Sequence, residues 1–402
     1  GDSIKILDEI YPTDMYTNVT PRILSKLDQK IHTRKGNPLN LIRKMLEAFF
    51  YKNYVRRRGN PIFSVYPNIS PVVTLEQNFD QLLVPKDHVS RSPSDSYYIN
   101  NNYMLRAHTS AHQRDLIRSG LDAFLVIGDV YRRDAIDATH YPVFHQAEGV
   151  RLFTHSELFA GTGDPSGFQM FEKGIRAWDK QETLTFDASQ LVEINLQRTI
   201  QDLARFIFGR DVEYRWVEAY FPFTHPSWEL EVKFNGEWLE LLGCGIIEQN
   251  ILDRAGAGDK VGWAFGIGLE RLAMKLFSIP DIRLFWSTDP GFTCQFKVDD
   301  PSKQITYKPI SQHPHCVNDI SFWIPEHFHP NDFYDMVRDI GGDLVEQVKQ
   351  LEEYENPKTK RKSHCYRIMY RHMERNLSQS EVNKIHSEIE EQSKKQLGVE
   401  VR

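Results

Sequence analysis

Cysteine is scarce in this chain, and Cys244, Cys294, Cys316 and Cys365 lie far apart with no C-x-x-C pair among them. That spacing offers neither a disulfide framework nor a zinc-ligand set, and it fits a reducing compartment. Long apolar runs are missing too: nothing approaches the roughly 18 residues of a membrane-spanning helix, so no membrane partner is expected. No G-K-[ST] phosphate loop occurs. The Gly266-x-Gly268 pair lacks the third glycine of a dinucleotide fingerprint, because Arg271 stands there. A nucleotide would need to be gripped by another geometry. His108, His112, His140, His145 and His225 show no ligand spacing, so no metal site built from side chains alone is expected. Positive charge is not in excess: 49 Lys and Arg face 55 Asp and Glu, a net charge of −6, which argues against an indiscriminate nucleic-acid binder. Asp2, Asp8, Glu9 and Asp14 break any Arg-rich transit pattern, so a targeting segment is expected to be gone from this form.

What is present suits a globular protein of more than one domain. The 402 residues are 40% hydrophobic and 26% charged. Asn37-Pro38 predicts a capped helix start, followed by Leu41, Ile42, Met45, Leu46, Phe49, Phe50 and Tyr54 at helical spacing. Arg56 to Arg58 are read as its last turn and Gly59 as its stop. Extended segments are predicted at 63–66, 72–75, 82–84 and 97–99, and a helix over 190–208. Strands follow at 212–217, 228–234 and 237–242, the last two joined by the hairpin signal Asn235-Gly236. Hairpins imply an antiparallel sheet rather than a doubly wound parallel one. The pattern weakens over 291–308, read as a linker. Beyond it, strands at 320–324, 344–351, 366–370 and 399–401 and helices at 332–340 and after the capping box Ser378 to Glu381 give β-α-β-β-α-β, the ferredoxin-like order. The fold class is therefore α+β, with boundaries of 1–290, 291–308 and 309–402.

Two runs carry the chemistry. Gly128-Asp-Val-Tyr-Arg-Arg-Asp134 continues through Thr139-His-Tyr-Pro-Val-Phe-His-Gln-Ala-Glu148, a strand, a polar loop and a second strand. Gly262-Trp-Ala-Phe-Gly-Ile-Gly-Leu-Glu-Arg-Leu-Ala273 then places Arg271 near a helix start. Two arginines presented from separate elements suit a bent triphosphate, since each fork can take two phosphate oxygens. Arg133 is read as a structural partner of Asp134 or Asp137. Glu240, on a strand leading into Gly243-Cys-Gly245, could hold magnesium, water or an amine. No side chain stands out as a nucleophile. Between Pro357 and Arg375, Lys358, Lys360, Arg361, Lys362, Arg367 and Arg371 meet only Glu374, which makes a candidate phosphate-binding face.

These runs resemble motifs 2 and 3 of the class II aminoacyl-tRNA synthetases, whose catalytic domain is an antiparallel sheet flanked by helices. Leu105-Arg-Ala-His-Thr-Ser-Ala-His-Gln113, Asn78-Phe-Asp80 with Pro85-Lys-Asp-His88, Phe221-Pro-Phe-Thr-His-Pro-Ser227 and the run from Asn318-Asp-Ile-Ser-Phe-Trp323 to Tyr366-Arg-Ile-Met-Tyr370 narrow the resemblance to single-chain organellar phenylalanyl-tRNA synthetases. Two positions depart from the pattern, Val89 for proline and Ala147 for a bulkier residue. The resemblance implies that Arg132 grips the α-phosphate of ATP, that Arg271 lies over the adenine with Phe144 on its other face, and that Thr139, His140, Tyr141 and Glu240 complete the ATP site with Mg2+. His140 and His145 are expected near phosphate. It further implies that Ser110, Ala111, His112, Gln113, Gln146 and Glu148 hold the polar end of phenylalanine, and that Phe221, Phe223, Ala264 and Phe265 hold its ring. The C-terminal basic residues would then meet tRNA-Phe, and the protein would act as a monomer in the mitochondrial matrix without editing Tyr-tRNA. A catalytically dead RNA-binding module and an acid-adenylating ligase that uses no tRNA are the competing readings.

Overall fold

The computed structural model describes residues 2–309 and 313–402. Seven strands form the main sheet: β1 (Ser64–Tyr66), β2 (Ala123–Tyr131), β3 (Val143–Phe153), β4 (Tyr214–Phe221), β5 (Thr224–Phe234), β6 (Glu237–Ile247) and β7 (Val261–Gly268), in the order β1-β2-β3-β7-β6-β5-β4. Only β1 and β2 run parallel; the other neighbours are antiparallel. Asn235 (φ 51°) and Gly236 (φ 82°) turn β5 into β6, the left-handed pair that matches the twist of a two-residue hairpin.

Helices α1 (Pro38–Asn53) and α2 (Phe186–Phe208) cover one face of this sheet. Asn37 caps α1 by accepting from the Leu39 amide at 2.9 Å, and Leu41, Ile42, Leu46, Phe49 and Phe50 are buried along one stripe. Phe50 stacks on Phe265 of β7 at 5.6 Å, and Trp263 donates from Nε1 to Asn195 of α2 at 2.8 Å. The opposite face of the sheet is thereby left for a cleft, rimmed by α3 (Leu269–Phe277).

Several expectations are corrected. Helix α1 ends at Asn53, so Arg56 to Arg58 lie beyond it and cannot serve its dipole. Helix α2 begins at Phe186, where the Thr185 side chain accepts from the Ala188 amide. Residues Asp80–Leu82 form a 3-10 turn rather than a strand, closed by Leu83 at φ 60°. Tyr97 to Ile99 contribute only an isolated bridge between Tyr98 and Met104. The stretch read as a linker begins by packing Phe292 and Phe296, each 1% exposed, into the main core.

The C-terminal part is built from β8 (Cys316–Ile324), α4 (Pro330–Gly341), β9 (Val345–Glu355), β10 (Lys362–Tyr370), α5 (Gln379–Leu397) and β11 (Glu400–Val401), with sheet order β9-β10-β8-β11. This is the ferredoxin-like topology. Ser378 and Glu381 form the expected capping box of α5. Its core of Ile320, Phe322, Phe333, Val337, Tyr366 and Ile368 takes in one residue from outside, Ile136 of the loop between β2 and β3.

Candidate functional site: a cleft on the open face of the sheet

A cleft of about 1050 Å³ lies on the face not covered by α1 and α2. Strand alternation decides which side chains reach it. Phe144, Gln146 and Glu148 of β3 line the cleft, whereas Val143 and Ala147 pack into the core behind. Gln146 is flanked across the sheet by Gly128 and Gly268, and Glu148 by Val126 and Gly266. A Cβ built on Gly266 or Gly268 would meet nothing within 4 Å, so these glycines leave a bare floor between the polar side chains.

Glu148 is 2% exposed. Its Oε1 accepts from the Ser110 hydroxyl at 2.8 Å and from Gln113 Nε2 at 2.9 Å, and the Gln146 amide oxygen accepts from the Thr109 amide at 3.3 Å. Among the described residues Glu148 Oε2 and Gln113 Oε1 have no partner. Burial raises the Glu148 carboxyl to about 7, against the two hydrogen bonds, which pull it down. A buried carboxylate oxygen that lines the cleft and has no donor suits a compact group with several donors, such as an ammonium.

At the apolar end Phe221 closes β4 and Phe223 sits in the following turn, their rings stacked at 5.9 Å and 17°. The turn, rather than a shared strand, brings the two rings together. A Cβ on Gly243 would come within 2.8 Å of the Phe221 ring, so glycine there makes room for it. Ala264, 4% exposed, lines the same end. Phe265 borders the cleft, but its ring is stacked on Phe50 on the helical side, which corrects its reading as a substrate contact.

The arginines stand at the other end. Arg132 donates from Nε to the Ala107 carbonyl at 2.8 Å, and its guanidinium lies 5.0 Å from the centre of the Phe144 ring. Arg271, its side chain 65% exposed, faces Glu240 at 3.7 Å from the rim. His108 also lines the cleft 6.4 Å from Phe223, and burial, then Arg132, lowers it to about 3, so its ring is neutral. Sequence alone assigns His108 no role beyond its lack of ligand spacing; its place two residues before Ser110 is the signal that puts it in the cleft.

Other sequence-predicted residues do different work. His145 is 1% exposed on the core side, where its amide and ring meet Glu270, so it does not face phosphate. His112 bonds Arg106 instead of the cleft, and Ala111 is buried in a separate cluster behind it. Thr139 and His140 line the cleft but fold around Asp137, which accepts from both amides at 2.9 Å. Tyr141 borders the cleft while its hydroxyl donates to Asp343 at 2.6 Å. Arg133 pairs with Asp332 at 2.6 Å and Asp335 at 3.6 Å rather than with Asp134 or Asp137. Val89 is exposed and Ala147 is buried behind the sheet, so neither departure touches the cleft.

The C-terminal basic run is less basic in space than in sequence. Arg367 donates two hydrogen bonds to Asp319, its cross-strand partner on β8, and Arg371 pairs with Glu346 at 3.0 Å. Arg361 pairs with Glu400 at 2.7 Å. Lys358, Lys360 and Lys362 have no salt-bridge partner among the described residues and are exposed where β9 turns into β10.

Two arginines on separate elements, an antiparallel sheet as floor and no phosphate loop define the cleft of a class II tRNA synthetase. The family model for the class II tRNA synthetase core domain matches residues 29–162 and 177–296, and that for the ferredoxin-fold anticodon-binding domain matches 311–402. The mitochondrial phenylalanine–tRNA ligase of Mus musculus is 55% identical over 403 residues, spanning 100% of this chain and 89% of that protein. The Drosophila melanogaster protein described as a probable mitochondrial phenylalanine–tRNA ligase is 49% identical over 99% and 92% of the two chains, and that of Saccharomyces cerevisiae 39% over 98% and 93%. The chain belongs to the mitochondrial phenylalanine–tRNA ligase family.

Proposed function

We infer that the chain is a phenylalanine–tRNA ligase of mitochondrial protein synthesis, acting in the matrix as a monomer. It activates phenylalanine with ATP to phenylalanyl-adenylate and pyrophosphate, then passes phenylalanine to the terminal ribose 2′-hydroxyl of tRNA-Phe. The observation that carries this reading is the division of one cleft: a buried carboxylate with a free oxygen beside stacked phenylalanine rings, and two arginines further along.

Each part has a role in the first step. Glu148 and Gln146 hold the ammonium of the amino acid, and Phe221, Phe223 and Ala264 enclose its ring. A substrate carboxylate oxygen attacks the α-phosphorus, the bond to the bridging oxygen breaks, and pyrophosphate leaves with that electron pair. Arg132 neutralises charge growing on the α-phosphoryl oxygens, and Arg271 holds the far end of the triphosphate. Positioning and charge stabilisation suffice, because the substrate supplies the nucleophile. The residues also fit Mg2+: Glu240 lines the cleft, and Glu229, close enough to feel its charge, is raised from its ordinary value by burial and then by Glu240. Two oxygen donors suit a hard cation whose other ligands would be phosphate and water, and which would offset charge on the departing pyrophosphate.

For tRNA, the free Lys358, Lys360 and Lys362 are the best candidates for backbone contact, with Arg361, Arg367 and Arg371 available only by exchanging their carboxylate partners. Trp323 and Tyr354, 6.2 Å apart and flanked by Arg361 and Arg402, offer stacking surfaces for unpaired bases. With Phe292 and Phe296 packed into the main core, the catalytic unit is read as running past residue 296 and the anticodon-binding unit as following it. Charging of tRNA-Phe with labelled phenylalanine tests the reading. Esterification at the 2′-hydroxyl is expected; tight tRNA binding without charging would favour the dead module, and adenylate formation without transfer would favour the tRNA-independent ligase.

A further inference from the structure

Behind the cleft lies a buried cation that the mechanism above does not use. Arg106 is 1% exposed, and each of its three guanidinium nitrogens is hydrogen-bonded. Nε donates to the Asp129 carbonyl at 2.6 Å, Nη2 to Asp129 Oδ1 at 2.8 Å, and Nη1 to the Ile69 carbonyl at 2.9 Å and to His112 Nε2 at 2.9 Å. A guanidinium can only donate, so His112 Nε2 accepts and the ring carries its proton on Nδ1. A Cβ on Gly128 would fall 2.4 Å from Nη2, so glycine in β2 is what lets the guanidinium lie against the strand.

His112 closes the 3-10 turn Thr109–His112 and is followed at once by Gln113. That turn supplies both donors on Glu148 Oε1, the Ser110 hydroxyl and the Gln113 amide, and the Thr109 amide that meets Gln146. One residue after Arg106, the Ala107 carbonyl takes the Nε of Arg132. The segment 106–113 is therefore a common frame for the carboxylate that meets the ammonium and the arginine that meets the phosphate.

Building on the reading of the cleft given above, we propose that Arg106 and His112 are positioning residues for amino-acid activation. Arg106 holds the Thr109–Gln113 turn through His112, which fixes Ser110 and Gln113 on Glu148 Oε1 and leaves Oε2 to the substrate ammonium. Neither residue touches substrate. His112 is the better one to vary, because Arg106 also neutralises the buried Asp129, and its loss would strand that charge.

The test compares His112→Leu and His112→Gln in the full chain by ATP–pyrophosphate exchange, with melting temperatures alongside. Leucine removes the acceptor, and glutamine can return an oxygen to the place of Nε2. His112→Leu is expected to raise the KM for phenylalanine roughly tenfold, the size of one lost hydrogen bond to a charged group, with the KM for ATP little changed. His112→Gln is expected to restore most of it. Should His112→Leu not fold, His112→Asn, whose shorter amide withdraws the acceptor, takes its place. A phenylalanine KM unchanged in the folded acceptor-less variant, or a rise that glutamine leaves in place, overturns the proposal. Wild-type exchange with a different amino acid would overturn the substrate reading instead, and the same KM comparison made with that amino acid would still decide the role of His112.

Discussion

Glu148 shows how much one side chain can set. Burial raises its carboxyl to about 7, and Ser110 and Gln113 pull the other way without cancelling it. An ammonium favours the ionised form, so protonation competes with amino-acid binding and affinity is lost as pH falls through that value. Between about pH 8 and about pH 5.5 the KM for phenylalanine should rise, approaching tenfold per unit on the acid side, while the KM for ATP stays nearly flat. Exchange kinetics across that range check it, and a flat phenylalanine profile would contradict the assignment. Ala264 is the second residue-scale lever. It is buried at the ring end of the cleft, opposite Val150 and Gly245 in neighbouring strands. Removing its methyl should admit para-substituted phenylalanines, shifting the analogue-to-phenylalanine ratio of kcat/KM by roughly tenfold or more, the range for one methylene-sized change. An unchanged ratio would place the para position elsewhere.

At the scale of elements, β3 and β7 form the site together, one supplying the polar side chains and the other the bare glycines between them. Because a side chain at Gly268 would meet open space and its backbone needs no positive φ, Gly268→Val should leave the melting temperature almost unchanged. It should nevertheless raise the KM for ATP by about tenfold or more through occlusion of the floor. A matched fall in stability would mean that the glycine serves folding instead. Elements whose signals are local could be read from the sequence: the Asn37 cap and apolar stripe of α1, the Asn235-Gly236 turn, the capping box of α5 and the alternation that turns Gln146 and Glu148 to one side. Residues whose partners come from far along the chain were misread or, for Tyr141, read only in part. Arg133, Tyr141 and His145 look like parts of a polar loop and strand, yet find Asp332, Asp343 and Glu270. The basic run from Lys358 to Arg375 looks unopposed because Asp319, Glu346 and Glu400 reach it only across the sheet or from the chain end. Of the cleft itself, most of the side chains that line it were legible and the contacts that support them were not.

Taken as a whole, the molecule clasps the loop between β2 and β3 between two cores. Ile136 is 2% exposed among C-terminal side chains, and its carbonyl accepts from the Val348 amide at 2.9 Å. Arg133 meets Asp332 and Asp335, and Asp335 is raised to about 6 by burial even with that arginine beside it. Arg133→Ala leaves Asp332 without its cation and Asp335 with the Tyr97 hydroxyl alone, and losing one partner of a buried pair such as Arg133–Asp335 costs about 3–5 kcal/mol. Small-angle scattering should then show a larger radius of gyration than the wild type, since small interdomain interfaces yield before cores do. An identical profile would mean that the remaining contacts hold the two parts together. Wild-type profiles that do not change on adding tRNA-Phe would argue against any swing of the C-terminal part.

In the function proposed above, a single cleft recognises an amino acid and ATP and joins them. Amino-acid-dependent ATP–pyrophosphate exchange, run without tRNA over the full set of proteinogenic amino acids, tests it most directly. Exchange with phenylalanine, weakly with tyrosine and with no other, is the predicted result; its absence with phenylalanine, or stronger exchange with another amino acid, would contradict the account.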